Sequence, residues 1–161
     1  LITAKSEPIF NGVYKLTAME EEGKIVPKIK ISENVGKITT PGFKQIYRLY
    51  SRDTNKAIAD VITLHDEEIN DNKPYEIFHP LFTWKRKKVE NFYARKLLVQ
   101  IFDKGENVYD SPNVHDIKKY CNEQIDTLWD EVKRFEKPHE YFVDLSQELW
   151  NIKDELLKRH K

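Results

Sequence analysis

Phe43-Lys44-Gln45-Ile46-Tyr47-Arg48-Leu49-Tyr50 and Ala57-Ile58-Ala59-Asp60-Val61-Ile62-Thr63-Leu64 flank the polar connector Ser51-Arg52-Asp53-Thr54-Asn55-Lys56. Two strand-like runs around such a connector predict a β-hairpin and set the first part of the chain as antiparallel β-structure. Upstream, Gly12 to Met19 reads as a strand, Glu22-Gly23 as a turn, and Lys24 to Ile31 as a returning strand in which Ile29 and Ile31 alternate with Lys28 and Lys30. Pro27 has no N–H for a ladder, so that strand should be an edge or begin there. The stretch Ser32 to Gly42 is loop-like, and Pro41-Gly42 suits the centre of a type II turn. Downstream, Leu97 to Phe102 predicts another hairpin turning at Asp103-Lys104-Gly105.

Past Asp110 the apolar period changes. Val114, Ile117, Cys121, Ile125, Leu128, Val132 and Phe135 recur at steps of three and four residues, which predicts one helix of about six turns, capped by Asn113 with Asp116 and stopped by Pro138. A second helix is expected from Asp144 as cap with Gln147 opposite it, carrying Leu145, Leu149, Ile152 and Leu156 on one stripe. Both stripes predict core packing, with the two helices as a hairpin. The fold class is therefore α+β: β-hairpins over the first two thirds, then a C-terminal helical hairpin.

The chain has 161 residues, 27 Lys and Arg against 27 Asp and Glu, one cysteine, and eight Tyr, eight Phe and three Trp. Zero net charge removes the global argument for a nucleic-acid or membrane-surface partner, and the aromatic content argues against disorder. A lone Cys121 makes no internal disulfide and the histidines and cysteine have no zinc spacing, which suits a reducing, cytoplasmic setting. No apolar run approaches 18 residues. Residue 1 is Leu and the single Met is Met19, so the sequence is expected to start inside a longer reading frame.

Three clusters carry chemistry-bearing residues. Trp84-Lys85-Arg86-Lys87-Lys88 could track phosphates, but Glu90 interrupts it and a solvated or inter-subunit face is the plainer expectation. His65-Asp66-Glu67-Glu68 has metal-ligand residue types, yet neighbours on an extended chain face opposite ways, so a solvated turn is expected rather than a metal site. His79, His115, His139 and His160 stand without a nucleophile at diagnostic spacing, and no catalytic triad is predicted. The loop Asn34 to Lys44 offers lysines, hydroxyls and N–H groups near glycines, the groups that hold an oxyanion, although no Gly-x-x-x-x-Gly-Lys-Ser/Thr is present.

Pro8-Ile9-Phe10-Asn11-Gly12-Val13-Tyr14-Lys15-Leu16, Lys28-Ile29-Lys30-Ile31-Ser32-Glu33-Asn34 and Lys37-Ile38-Thr39-Thr40-Pro41-Gly42-Phe43-Lys44-Gln45-Ile46-Tyr47-Arg48 resemble, in order and spacing, the C-terminal third of bacterial nicotinate phosphoribosyltransferases. The likeness continues through Ala59 to Leu64, His79 to Lys87, Leu128 to Arg134 and Val143 to Trp150. It implies that residues 1–45 are the tail of the family's catalytic core, with the strands and the Lys37–Lys44 loop, and that 46–161 are its C-terminal domain. In the family a phosphate loop lies just before the segment matching Leu1-Ile2-Thr3, so this chain is expected to begin after it.

The resemblance implies an enzyme of NAD biosynthesis that couples nicotinate and phosphoribosyl pyrophosphate to give nicotinate mononucleotide and pyrophosphate. ATP hydrolysis, with Mg²⁺, drives it through a phosphorylated histidine that none of the five here matches. No catalytic residue, resident cofactor or metal ligand is therefore expected in this chain, which should be inactive alone. Its implied partners are the upstream catalytic barrel and, as an assembly open to test, a second copy in a homodimer; no nucleic acid and no membrane are expected. The substrates' phosphates demand cations, which makes Lys15, Lys37, Thr39, Lys44 and Arg48 the candidate contacts. The other reading the residues leave open is a free-standing interaction module that uses the basic Trp84–Lys88 face.

Overall fold

A computed structural model describes residues 12–159; residues 1–11, with the matched Leu1–Thr3 and Pro8–Asn11, and residues 160–161, with His160, lie outside the described residues. The decisive hairpin forms as expected. Strands β3 (Lys44–Ser51) and β4 (Ala57–Leu64) pair antiparallel, with Arg48 opposite Asp60 and a bulge between Leu49 and Tyr50. Asn55, at φ 56°, helps the connector to close; Asn tolerates the left-handed region better than most side chains.

Around this pair a four-stranded sheet runs in the order β10-β4-β3-β7, where β7 is Phe92–Lys96 and β10 is Val143–Leu145. β7 is antiparallel to β3, whereas β10 is parallel to β4. Alternation along β4 sends Ala57, Ala59, Val61 and Thr63 to one face, and all four are buried. Leu49, Ala59, Val61 and Phe92 form the core with Ile77 and Val89. These last two come from β5 (Tyr75–Phe78) and β6 (Arg86–Val89), a second antiparallel ladder.

The N-terminal ribbon is shorter than its sequence suggests. β1 (Ala18–Glu21) and β2 (Lys24–Pro27) meet at Glu22-Gly23, whose φ values of 51° and 75° are the paired left-handed conformation of a two-residue turn. Pro27 ends β2 rather than starting it, and β2 is an edge of this two-stranded ribbon, as expected; Gly12 to Thr17 and Lys28 to Ile31 lie outside the strands. The hairpin expected over residues 97–102 shrinks to β8 (Phe102–Asp103) and β9 (Glu106–Asn107), turning at Lys104-Gly105. The strand itself falls earlier, as β7.

The long helix is also divided. α1 (Val114–Asp126) starts where expected: the Asn113 side chain accepts from the N–H groups of His115 and Asp116 at 2.9 and 3.1 Å. It stops at Thr127, well before Pro138, because other groups take up its last carbonyls. Lys56 Nζ donates to the carbonyls of Asp126 (2.7 Å) and Leu128 (3.2 Å), and the Ala57 N–H donates to that of Thr127 (2.8 Å). Only a single turn, α2 (Asp130–Lys133), follows.

The final helix, α3 (Gln147–Arg159), is capped by Ser146 instead of Asp144: Ser146 Oγ accepts from the Leu149 N–H at 3.2 Å. Asp144 lies within β10. The expected hairpin of helices is thus interrupted by a strand, and α3 packs on β4 with Leu149 fully buried. Gly42, at φ 94°, sits where a Cβ would approach Leu64 to 3.0 Å and Leu149 to 3.6 Å, so both its backbone angle and its lack of side chain matter. The α+β class with mostly antiparallel strands and a closing helix stands. Among the described residues no helix is long and apolar enough to cross a membrane.

Candidate anion-contact site

The loop between β2 and β3 is built by short-range hydrogen bonds. Asn34 Oδ1 accepts from the Gly36 N–H at 3.0 Å and caps a 3₁₀ turn, Val35–Lys37. The Gly42 N–H donates to the Thr17 carbonyl (2.7 Å) and the Thr39 N–H to that of Lys30 (3.4 Å), which pins the loop to the N-terminal ribbon.

Four of the five candidate residues gather here. Lys15 Nζ donates to the Lys37 carbonyl at 2.9 Å, while the Lys37 side chain itself is exposed. Thr39 is 5% exposed, and its hydroxyl has no hydrogen-bond partner among the described residues. Lys44 Nζ reaches the carbonyls of Gly42 (2.6 Å), Thr40 (3.0 Å) and Pro41 (3.5 Å), so its ammonium is a staple across the turn. Burial lowers its pKa, and among the described residues no carboxylate offsets that.

A cation not expected from the sequence joins them. Lys153, on α3, reaches Thr40 Oγ1 at 3.5 Å, and burial lowers its pKa too. Its position four residues after Leu149 puts it on the inward side of the helix, which is the signal that could have found it. An anion at these two ammoniums would offset the desolvation that each bears alone.

Arg48 stands apart. Its guanidinium donates to both oxygens of Asp60, at 2.8 and 2.9 Å, and lies 5.8 Å from the centre of the Tyr141 ring, whose hydroxyl donates to the same carboxylate at 3.0 Å. The hydrogen bond to Asp60 raises the Arg48 pKa further above its already high value. Any anion reaching Arg48 would compete with a bidentate carboxylate.

The acidic cluster diverges as its alternation suggests. Glu67 accepts from the Leu64 N–H (2.6 Å) and the Ser146 hydroxyl (2.7 Å), whereas Glu68 accepts from Lys96 (2.6 Å) and the Tyr47 hydroxyl (2.9 Å). Burial nevertheless pushes the Glu67 carboxyl up, and Lys96 pulls that of Glu68 down. Among the described residues no three His, Cys, Asp or Glu side chains converge as a metal ion requires.

Residues 43–153 match the family described as the nicotinate phosphoribosyltransferase C-terminal domain. A nicotinate phosphoribosyltransferase of Bacillus subtilis is 46% identical over 153 residues, and one of Caenorhabditis elegans is 35% identical over 154. The alignments take in 95% and 94% of this chain but 31% and 26% of those proteins, so the chain spans about a third or less of their length. The crystal structure of human nicotinic acid phosphoribosyltransferase superposes with a TM-score of 0.65 at 21% identity, covering 73% of this chain and 23% of that one, and so shares its fold. The family match begins one residue before β3 and runs into α3, so it takes in the whole central sheet, and on that ground the chain belongs to the nicotinate phosphoribosyltransferase family.

Proposed function

We propose that this chain serves as the C-terminal part of an enzyme that joins nicotinate to phosphoribosyl pyrophosphate, forming nicotinate mononucleotide and pyrophosphate at the expense of ATP. The observation that carries this reading is the lopsided alignment: 95% of the chain answers to 31% of the Bacillus subtilis relative. Its role is to support and orient. The catalytic histidine, and the Mg²⁺ that accompanies ATP, belong to the rest of the polypeptide.

Exposed apolar surface supports the same reading. Val13, Tyr14 and Leu16 precede the ribbon with at least three fifths of their surface open, and Val114, Ile117 and Ile125 line α1 without being buried. These are two separate exposed apolar stretches, one beside the start of β3 and one on α1 beside the β3–β4 connector, and apolar surface left open in this way marks an interface. The occupant in this reading is the remaining two thirds of the enzyme, including its catalytic barrel. The loop cations Lys15, Lys37, Lys44 and Lys153, with Thr39, then sit beside the first of these stretches, where the substrates' phosphates need positive charge. Residues 1–45 would belong with the barrel, although the boundary at 45 falls inside β3.

The test compares the purified 161-residue chain with the intact enzyme in an assay for nicotinate- and ATP-dependent pyrophosphate release. The intact enzyme should turn over and the chain should not. Turnover by the chain alone would contradict the assignment of catalysis to the rest of the protein. In the intact enzyme, Lys15→Ala should raise the KM for phosphoribosyl pyrophosphate with little change in Tm. A fall in Tm at unchanged KM would make Lys15 a structural residue.

A further inference from the structure

The basic run Lys85-Arg86-Lys87-Lys88 is not one face. In β6 the pleat alternates its side chains, and the register Lys87↔Ile77 and Val89↔Tyr75 puts Lys87 on the same side as the buried Ile77 and Val89. Lys85, two residues earlier, continues that side. Arg86 and Lys88 take the other side and are spent on carboxylates: Arg86 pairs with Glu76, and Lys88 with Glu90 at 3.0 Å. Neither Lys85 nor Lys87 has a carboxylate partner among the described residues. Their ammoniums lie instead near aromatic rings, Lys85 5.0 Å from the centre of Phe82 and Lys87 6.0 Å from that of Phe142.

The two lysines, together with Arg86, whose guanidinium is already paired with Glu76, border a cavity of about 450 Å³ between the β5–β6 hairpin and β10, with Ile77, His79, Phe142 and Asp144 among its walls. Asp144 pairs in register with Val61, so it projects from the edge strand on the core face, 2% exposed. Among the described residues nothing donates a hydrogen bond to its carboxylate. Burial pushes this carboxyl up, and His79 counters that in part. The His79 ring accepts at Nδ1 from the N–H groups of Leu81 and Phe82, at 3.1 and 3.0 Å, which leaves the proton of the neutral ring on Nε2. Glu140 is the other acid on the lining.

The cavity thus holds a buried carboxylate that lacks a donor, two ammoniums that lack an anion, and aromatic walls beside them. We propose that it is a binding site for a small zwitterion with an apolar body, of the amino-acid class, whose ammonium takes Asp144 and whose anionic group takes Lys85 and Lys87. A cavity of this size suits a small molecule. The ligand's ammonium pairs the buried carboxylate, and its anionic group adds charge-assisted contacts to the two exposed lysines, whereas a ligand with one charge makes only half of these contacts.

Calorimetric titration of the intact protein with L-phenylalanine, 2-phenylethylamine and 3-phenylpropionate tests this. L-phenylalanine should bind saturably, and the amine-only and acid-only analogues should each bind at least about tenfold more weakly, the scale of one lost charge-assisted contact. Asp144→Asn and Lys87→Gln should each weaken L-phenylalanine by about the same factor. Lys87→Gln on its own decides the matter if the Asp144 variant does not fold. Absence of L-phenylalanine binding, equal affinity for the three compounds, or binding unmoved by Lys87→Gln would overturn the proposal. The first of these is also the result expected if the rest of the polypeptide fills the cavity.

Discussion

α1 and α3 are both 13 residues long and both carry an apolar stripe at helical spacing, yet they end in opposite environments. α3 lays its stripe on β4 and buries Leu149 completely, and Trp150 meets Phe78 edge-on at 6.2 Å between ring centres. α1 is held at its ends, by Asn113 and by Lys56, and leaves Val114 77%, Ile117 52% and Ile125 44% exposed. Periodicity reports that a helix face is meant to be covered. It does not report whether the cover comes from the same stretch of chain, and here one stripe finds it locally while the other stays open among the described residues.

Three substitutions separate the two helices. Leu149→Ala should have the largest effect, removing about 2–5 kcal/mol of stability, because the fully buried side chain leaves a cavity against the sheet; denaturant unfolding of the 161-residue chain measures it. A loss below about 1 kcal/mol would mean that α3 is held no better than α1. Ser146→Ala should cost about 1 kcal/mol in the same assay, since it removes the hydroxyl that caps α3 and donates to Glu67. Ile117→Ala should change the stability of the 161-residue chain by about 0.5 kcal/mol or less, because a half-exposed side chain has little packing to lose. A large loss there would place α1 in the core of this chain and dissolve the contrast.

Much of the architecture is legible in local signals. The β3–β4 hairpin, the Glu22-Gly23 turn, the Asn113 cap and the positive φ at Gly42 each depend on residues within a few positions of one another. β10 escapes because its three residues pair with β4 some 80 positions away, and Asp144-Leu145-Ser146-Gln147 imitates a helix start one step too early. The end of α1 escapes for the same kind of reason, since Lys56, 70 residues upstream, takes its carbonyls. At the candidate site the loop brings Lys15, Thr39 and Lys44 near one another through contacts whose chemistry the sequence suggests. Lys153 arrives only through the docking of α3, and Arg48 is claimed by a cross-strand partner that the register, not the composition, supplies.

Under the proposed function, polypeptide outside this chain covers α1. Amide hydrogen exchange across Ile117–Ile125, measured in the 161-residue chain and in the intact enzyme, tests it most directly. Exchange should be slowed at least about tenfold in the intact enzyme, a difference of about 1.4 kcal/mol in opening free energy. Equal exchange in both, with α3 protected alike, would show that the apolar face of α1 stays open and would contradict it.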